Sequence, residues 1–130
     1  QLGDKNGAVV QIGLSSTFWN YTSGTSPILS NTTTAVTIKA AAGASVRNYI
    51  DSIQLTTTAF AASVPLAIRD GAAGTILWAV DVPTAGFLQP VTINFRVPLK
   101  GTANTLLEIL TTTANTTGTV TLNVQGHTGA

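Results

Sequence analysis

The residues that could perform acid–base chemistry in this chain are few. Its five carboxylates are Asp4, Asp51, Asp70, Asp81 and Glu108. Hydrolysis by paired carboxylates requires two of them about 5 to 10 Å apart in a cleft. Asp70 and Asp81 stand at predicted turns, which carboxylates commonly stabilise. Asp51 lies on a predicted apolar strand face, where a buried pair with Arg47 or Arg69 explains it as well as a catalytic role does.

Nucleophilic catalysis is not expected either. It needs a base beside the nucleophile, and the single histidine, His127, falls in residues 127–130, which are predicted to be a C-terminal tail. The chain has no cysteine, which excludes disulfides and thiolate metal sites. Neither a metal-ligand cluster nor a phosphate-binding glycine motif is present in the sequence. We therefore expect a protein that is not an enzyme and has no metal or cofactor.

An aromatic cluster near the N-terminus is the best candidate for binding a partner. Phe18, Trp19 and Tyr21 lie within the run TFWNY, in a context rich in Gly and Ser. Exposed aromatic residues anchor protein interfaces and also stack on sugars, so both uses stay open. Trp78 shares a predicted strand face with Ile76, which favours the core. The predicted core residues are Trp78, Phe95, Val120, Leu122 and Val124.

Three Asn-x-Thr triplets begin at Asn20, Asn31 and Asn115. Such triplets accept glycans in secreted eukaryotic proteins. In a chain this rich in Thr they are expected by chance.

Composition excludes several classes of protein. The 130 residues are 44% hydrophobic and only 8% charged, with a net charge of +1. About a quarter of residues are charged in an ordinary soluble domain, so Thr, Ser, Asn and Gly must form most of this surface. The six scattered Lys and Arg residues cannot form the basic stripe that nucleic acid requires. No apolar run is long enough to span a bilayer. Weak repulsion between copies favours self-association.

Hydrophobic periodicity predicts strands throughout the chain. The clearest are 64–69 and 75–80, joined by a turn at Asp70-Gly71 and Gly74, and 91–97, in which apolar and polar residues alternate. Further short strands are predicted at 8–14, 17–21, 34–40, 46–58, 105–113 and 119–126. An amphipathic helix is the alternative over 105–113, but the Thr run that follows favours a strand.

These patterns predict an all-β fold. About eight short strands, separated by Gly, Pro and Asn, are typical of an antiparallel β-sandwich, and eight strands in two sheets suit a jelly roll. We expect a single domain in which residues 1–45 form an irregular N-terminal arm with short strands and residues 46–130 form the sandwich core.

The C-terminal two thirds of the sequence resemble a known family. Four segments are similar to sequence motifs in small virion proteins of tailed bacteriophages, of the capsid decoration or cement type. They are SVRNYIDSIQLTTTAF, PLAIRDGAAGTILWAVDVP, PLKGTANTLLEIL and TVTLNVQGHTG. The resemblance covers about residues 45–129. It implies a β-sandwich on the capsid exterior that binds the lattice of the major capsid protein as an oligomer.

The leading hypothesis is therefore a structural virion protein that forms a homotrimer, or else a dimer, and contacts the capsid through its arm. Phe18, Trp19 and Tyr21 are the expected anchors. Deletion of residues 1–30 is expected to abolish capsid binding and leave a folded domain. The alternative is a carbohydrate- or receptor-binding module of a phage head fibre or tail.

Overall fold

A computed structural model describes residues 17–130. Its eight strands are β1 (Thr17–Thr22), β2 (Val36–Lys39), β3 (Arg47–Thr57), β4 (Val64–Asp70), β5 (Thr75–Val82), β6 (Val91–Lys100), β7 (Leu107–Thr111) and β8 (Val120–Gly129). The predicted all-β class is confirmed, and the ambiguous segment 105–113 contains a strand. The predicted strand at 8–14 lies outside the described residues. Within residues 17–130, no helix is long and apolar enough to cross a membrane.

The strands form a jelly roll. One sheet has the order β1-β8-β3-β6 and the other has the order β2-β7-β4-β5. Antiparallel pairing joins β4 to β5, β3 to β6, β2 to β7 and β1 to β8. Each pair encloses the preceding one in the sequence, which is the strand pairing of a jelly roll. Pairing of β3 with β8 and of β4 with β7 completes the two sheets. The predicted antiparallel sandwich is therefore confirmed.

The innermost hairpin, β4–β5, follows its sequence signals closely. Asp70 pairs with Thr75 across the turn. Gly71 has a φ of 93°, which side-chain-bearing residues rarely adopt. A Cβ on Gly74 would lie 1.9 Å from the Asp70 carbonyl oxygen, so this position has no room for a side chain. Both glycines are therefore required by the backbone path of the turn.

The hydrophobic core lies between the two sheets. Val120, Leu122 and Val124 are fully buried, as the alternation in β8 predicts. Trp78 and Phe95, predicted in the same core, are only partly buried and pack against its rim. The other buried residues of this core cluster are Leu29, Ile38, Ile50, Ile53, Leu55, Phe60, Val64, Leu66, Ile68, Val82, Leu107 and Ile109.

A β-bulge in β3 changes which side chains face the core. Ile50 pairs with Gly126 and Ser52 pairs with Gln125, so Asp51 is an extra residue relative to β8. Tyr49 pairs with His127 before the bulge, whereas Ile53 pairs with the buried Val124 after it. The expectation that Asp51 shares the apolar face of Ile53 is therefore wrong, because the bulge shifts the alternation by one residue.

Both ends of the described chain are built into the sheets. In the predicted arm of residues 1–45, β1 pairs with β8 and β2 pairs with β7, as edge strands of the sandwich. Leu29, between them, is buried in the core. The predicted tail 127–130 is wrong, since β8 continues to Gly129 between β1 and β3. The sequence could not indicate this pairing, because each partner strand is far away in the chain.

Truncation of a buried β8 side chain tests the position of the core. We expect Leu122→Ala to lower the free energy of unfolding by about 2 to 5 kcal/mol, because Leu122 is fully buried and the cavity would be closed on all sides. Asn123→Ala, at the next and exposed position of the same strand, should change it by less than about 0.5 kcal/mol. Urea denaturation measures both values, and equal losses would contradict this assignment of the core.

Candidate functional site

Aromatic side chains gather on the outer face of the first sheet, where β8 lies between β1 and β3. Phe18 of β1 and Tyr49 of β3 both pair with His127 of β8, so the three residues form one row across the sheet. The His127 imidazole stacks on the Tyr49 ring with centroids 4.7 Å apart and planes 3° from parallel. Phe18 meets the imidazole at 6.4 Å, with the ring planes inclined by 65°. We call Phe18, Tyr49, Asp51 and His127 the outer-face cluster.

The bulge brings Asp51 into this cluster. Its carboxylate lies 2.8 Å and 3.0 Å, through its two oxygens, from Nδ1 of His127. The partner of Asp51 is thus His127, and not Arg47 or Arg69 as the sequence suggested. The Tyr49 hydroxyl donates a hydrogen bond of 2.7 Å to the carbonyl of Ala130, which holds the last residue against the same face.

The Asp51–His127 pair has the geometry of the acid–histidine half of a catalytic triad. Its carboxylate contacts Nδ1 and leaves Nε2 free to act as a base. In residues 17–130, however, no hydroxyl group hydrogen-bonds Nε2. The described residues also contain no group of three His, Asp or Glu side chains able to hold a metal ion. The arrangement can therefore bind and orient a ligand, but it lacks a positioned nucleophile.

A concavity of about 560 Å³ adjoins the outer-face cluster. It is lined by Phe18, Trp19, Asn20, Asp51, Gln125 and Gly126. Phe18 is 83% exposed there, the highest value among the exposed large apolar residues. The surface thus combines an open aromatic ring with one carboxylate and two amide side chains.

The three residues predicted to bind a partner do not share one face. Phe18 points outward, whereas Trp19 and Tyr21 alternate with it and pack against the core. Burial raises the pKa of the Tyr21 hydroxyl above its ordinary value. The Trp19 indole crosses Gly126, where a Cβ would lie 2.4 Å from the ring. A role of these residues in partner binding stays a prediction, and Phe18 is the one that presents its ring to solvent.

Two other carboxylates, those of Glu108 and Asp70, make contacts at the β4–β5 turn. Glu108 accepts hydrogen bonds from Nε of Arg69 at 2.7 Å and from the backbone N–H of Ala73 at 3.1 Å, and its carboxylate also forms an ion pair with that guanidinium. Asp70 accepts hydrogen bonds from the backbone N–H of Thr102 at 3.0 Å and from its hydroxyl at 2.6 Å. Both contacts tie the β4–β5 turn to later segments, so neither carboxylate joins Asp51 in a cleft.

The three Asn-x-Thr positions differ in accessibility. Asn20 and Asn31 are exposed. Asn115 is buried, donates a hydrogen bond of 2.7 Å to the Leu29 carbonyl and accepts one of 2.6 Å from the Gly118 N–H. The Asn115 side chain therefore links two loops through hydrogen bonds, and a glycan on it is incompatible with this fold.

Comparison with known proteins bears on the fold. No protein-family model matches the sequence, and no curated protein matches it. A chain in the structure of the cyanophage Pam1 capsid asymmetric unit is similar, with a TM-score of 0.51 and 17% identity over 92% of this chain and 91% of that chain. The coat protein of tobacco streak virus has a TM-score of 0.46 and 8% identity over 94% and 91% of the two chains. At such identities the similarity concerns the fold, and the cyanophage chain supports the jelly roll.

Adding a methyl group beneath Trp19 tests how the site is supported. In Gly126→Ala the new Cβ would lie 2.1 Å from the Tyr49 carbonyl oxygen and would displace the indole. We expect the free energy of unfolding to fall by about 1 to 3 kcal/mol. Gln125→Ala, the exposed neighbour in β8, should stay within about 0.5 kcal/mol of the parent in the same urea titration. A Gly126→Ala protein as stable as the parent would show that the indole does not lie there.

Proposed function

We propose that this chain is a structural virion protein of the capsid decoration or cement type, which binds the major capsid protein lattice from the capsid exterior as a homo-oligomer. The observation that carries the proposal is the jelly-roll strand order, together with a fold shared with a chain of a phage capsid along nearly the whole length of both. The resemblance of residues 45–129 to small virion proteins of tailed bacteriophages is in line with this proposal. The outer-face cluster, which lacks a positioned nucleophile in the described residues, is compatible with a role in binding.

One side of the sandwich is suited to association between copies. β5 and β6 are edge strands of different sheets, and they contact each other. Ile76 on β5, Leu88 in the connection and Val97 on β6 are 52%, 70% and 79% exposed, respectively. Burial of exposed apolar side chains of this size is the main favourable term in most protein association. We call Ile76, Leu88 and Val97 the β5–β6 surface and assign the subunit contact of a trimer, or else a dimer, to it.

The surface chemistry suits a crowded lattice. A net charge of +1 over 130 residues gives little repulsion between neighbouring copies. Many weak contacts on one lattice add up through avidity, so a single copy does not need a large interface. The predicted arm would add a further contact to the capsid. Its part before β1, residues 1–16, is the segment that can be removed without cutting a described strand.

A charge in the β5–β6 surface tests the subunit contact. We expect Val97→Asp to convert the oligomer into a monomer, because the association would bury an unpaired carboxylate. Asn94→Asp, which adds the same charge at an exposed position of the same strand, should leave the oligomer intact. Light scattering on the purified proteins gives the mass. An oligomer that persists in Val97→Asp would exclude this surface as the contact.

Removal of residues 1–16 tests the arm. We expect the shortened protein to keep its circular dichroism spectrum and oligomeric mass, because all eight described strands lie within residues 17–130, but to lose co-sedimentation with undecorated capsids. The longer deletion of residues 1–30 is unsuitable, since it would remove β1 and the buried Leu29. A full-length protein in which residues 1–16 are shuffled is the matched control for length. Capsid binding that survives both changes would rule out the arm as the contact.

A further inference from the structure

We propose that the concavity beside Phe18 is a binding site for a neutral saccharide. The inference goes beyond the proposed capsid attachment, because it assigns a small-molecule ligand to the outer face of β1, β8 and β3. The outer-face cluster supplies an aromatic platform, and the carboxylate of Asp51 with the amides of Asn20 and Gln125 supplies the polar contacts.

The platform is open, and the backbone that carries it belongs to the sheet. Phe18 is 83% exposed, yet its backbone pairs with His127 inside a regular strand ladder, so the ring is carried by the sheet and not by a loop. Directly below, Trp19 packs against the core. The stacked imidazole of His127 and ring of Tyr49 continue the aromatic row away from β1. An exposed aromatic ring on a strand of this sheet can cover the C–H face of a pyranose.

The polar groups match hydroxyl groups. An ionised carboxylate offers about four lone-pair positions, and the contact with Nδ1 of His127 does not use them all. The free positions of Asp51 can accept hydrogen bonds from two neighbouring hydroxyls. Asn20 and Gln125 each carry an amide that both donates and accepts. Donors and acceptors around one carboxylate thus fit a ligand that is rich in hydroxyls.

Charge and size narrow the choice of ligand. Among residues 17–130 the lining contains no Lys or Arg, and the neighbouring imidazole of His127 is already paired with Asp51, so the described lining favours a neutral ligand over a phosphate or a carboxylate. The concavity of about 560 Å³ lies within the usual range of small-molecule sites, about 300 to 1,000 Å³. A neutral mono- or disaccharide meets both conditions. A protein segment packed on Phe18 is the competing occupant, and the experiment separates the two.

The test is a titration followed by NMR on the full chain labelled with ¹⁵N. The probes are methyl β-D-galactopyranoside, methyl α-D-glucopyranoside and N-acetyl-D-glucosamine, with inorganic phosphate as the charged comparison. We expect at least one of the three sugars, at millimolar concentration, to shift the amide signals of Phe18, Asn20 and Gln125 and the ring protons of His127. Phosphate should leave these signals in place.

Two variants and one control decide the assignment. Phe18→Ala removes the platform, and Asp51→Asn keeps the shape but removes the charge, so each should weaken sugar binding by at least about tenfold. Asn94→Ala, an exposed amide on β6, should bind as the parent does. Each variant is first compared with the parent by thermal unfolding, so that loss of fold is not taken for loss of binding.

Three outcomes would overturn the proposal. The first is that none of the sugars shifts the signals of residues lining the concavity. The second is that phosphate shifts these signals instead. The third is that the sugar-induced shifts persist in both Phe18→Ala and Asp51→Asn. Capsid co-sedimentation of the same variants is a separate measurement. If Phe18→Ala loses capsid binding while the parent protein ignores sugars, the ring is a protein contact.

Discussion

The structure depends on the position of β8 between β1 and β3. This strand contributes three fully buried side chains to the core, and it joins Thr17 to Thr128 across 111 positions of the chain. Closing so long a loop costs conformational entropy before any contact repays it. The buried apolar face of β8 and its two strand ladders offset that cost. Every other strand of the first sheet is placed relative to β8, directly or through β3.

The same strand also creates the surface site. Because side chains alternate across a strand, the residue that follows buried Gly126 faces outward, and it is His127. The bulge in β3 then turns Asp51 towards that imidazole. Core and site therefore share one register: a slip of one residue in β8 would expose Val124 and bury His127. Strand pairing of β1, β8 and β3 therefore sets the positions from which the side chains of the outer-face cluster project.

The fold separates two surfaces with different chemistry. The β5–β6 surface consists of three exposed apolar side chains, on the edge strands β5 and β6 and in the connection between them. The outer-face cluster is aromatic and polar and lies on the face of one sheet. A jelly roll allows this division because its two sheets close the core between them and leave edges and outer faces free. The two surfaces therefore lie on different parts of one small domain.

The sequence by itself determined the class of the fold and most of its strands, because alternation of apolar residues and turn residues such as Gly71 and Gly74 are local signals. It also predicted Phe18, Trp19 and Tyr21 as contact residues, which stays a prediction. Tertiary structure alone decided which strands pair, since β1 and β8 are far apart in the chain. It also decided which face of the sheet Asp51 occupies, because a bulge of one residue leaves no clear mark in a hydrophobic pattern. It also made His127 part of a site, since only pairing with β1 and β3 holds the C-terminal residues in place.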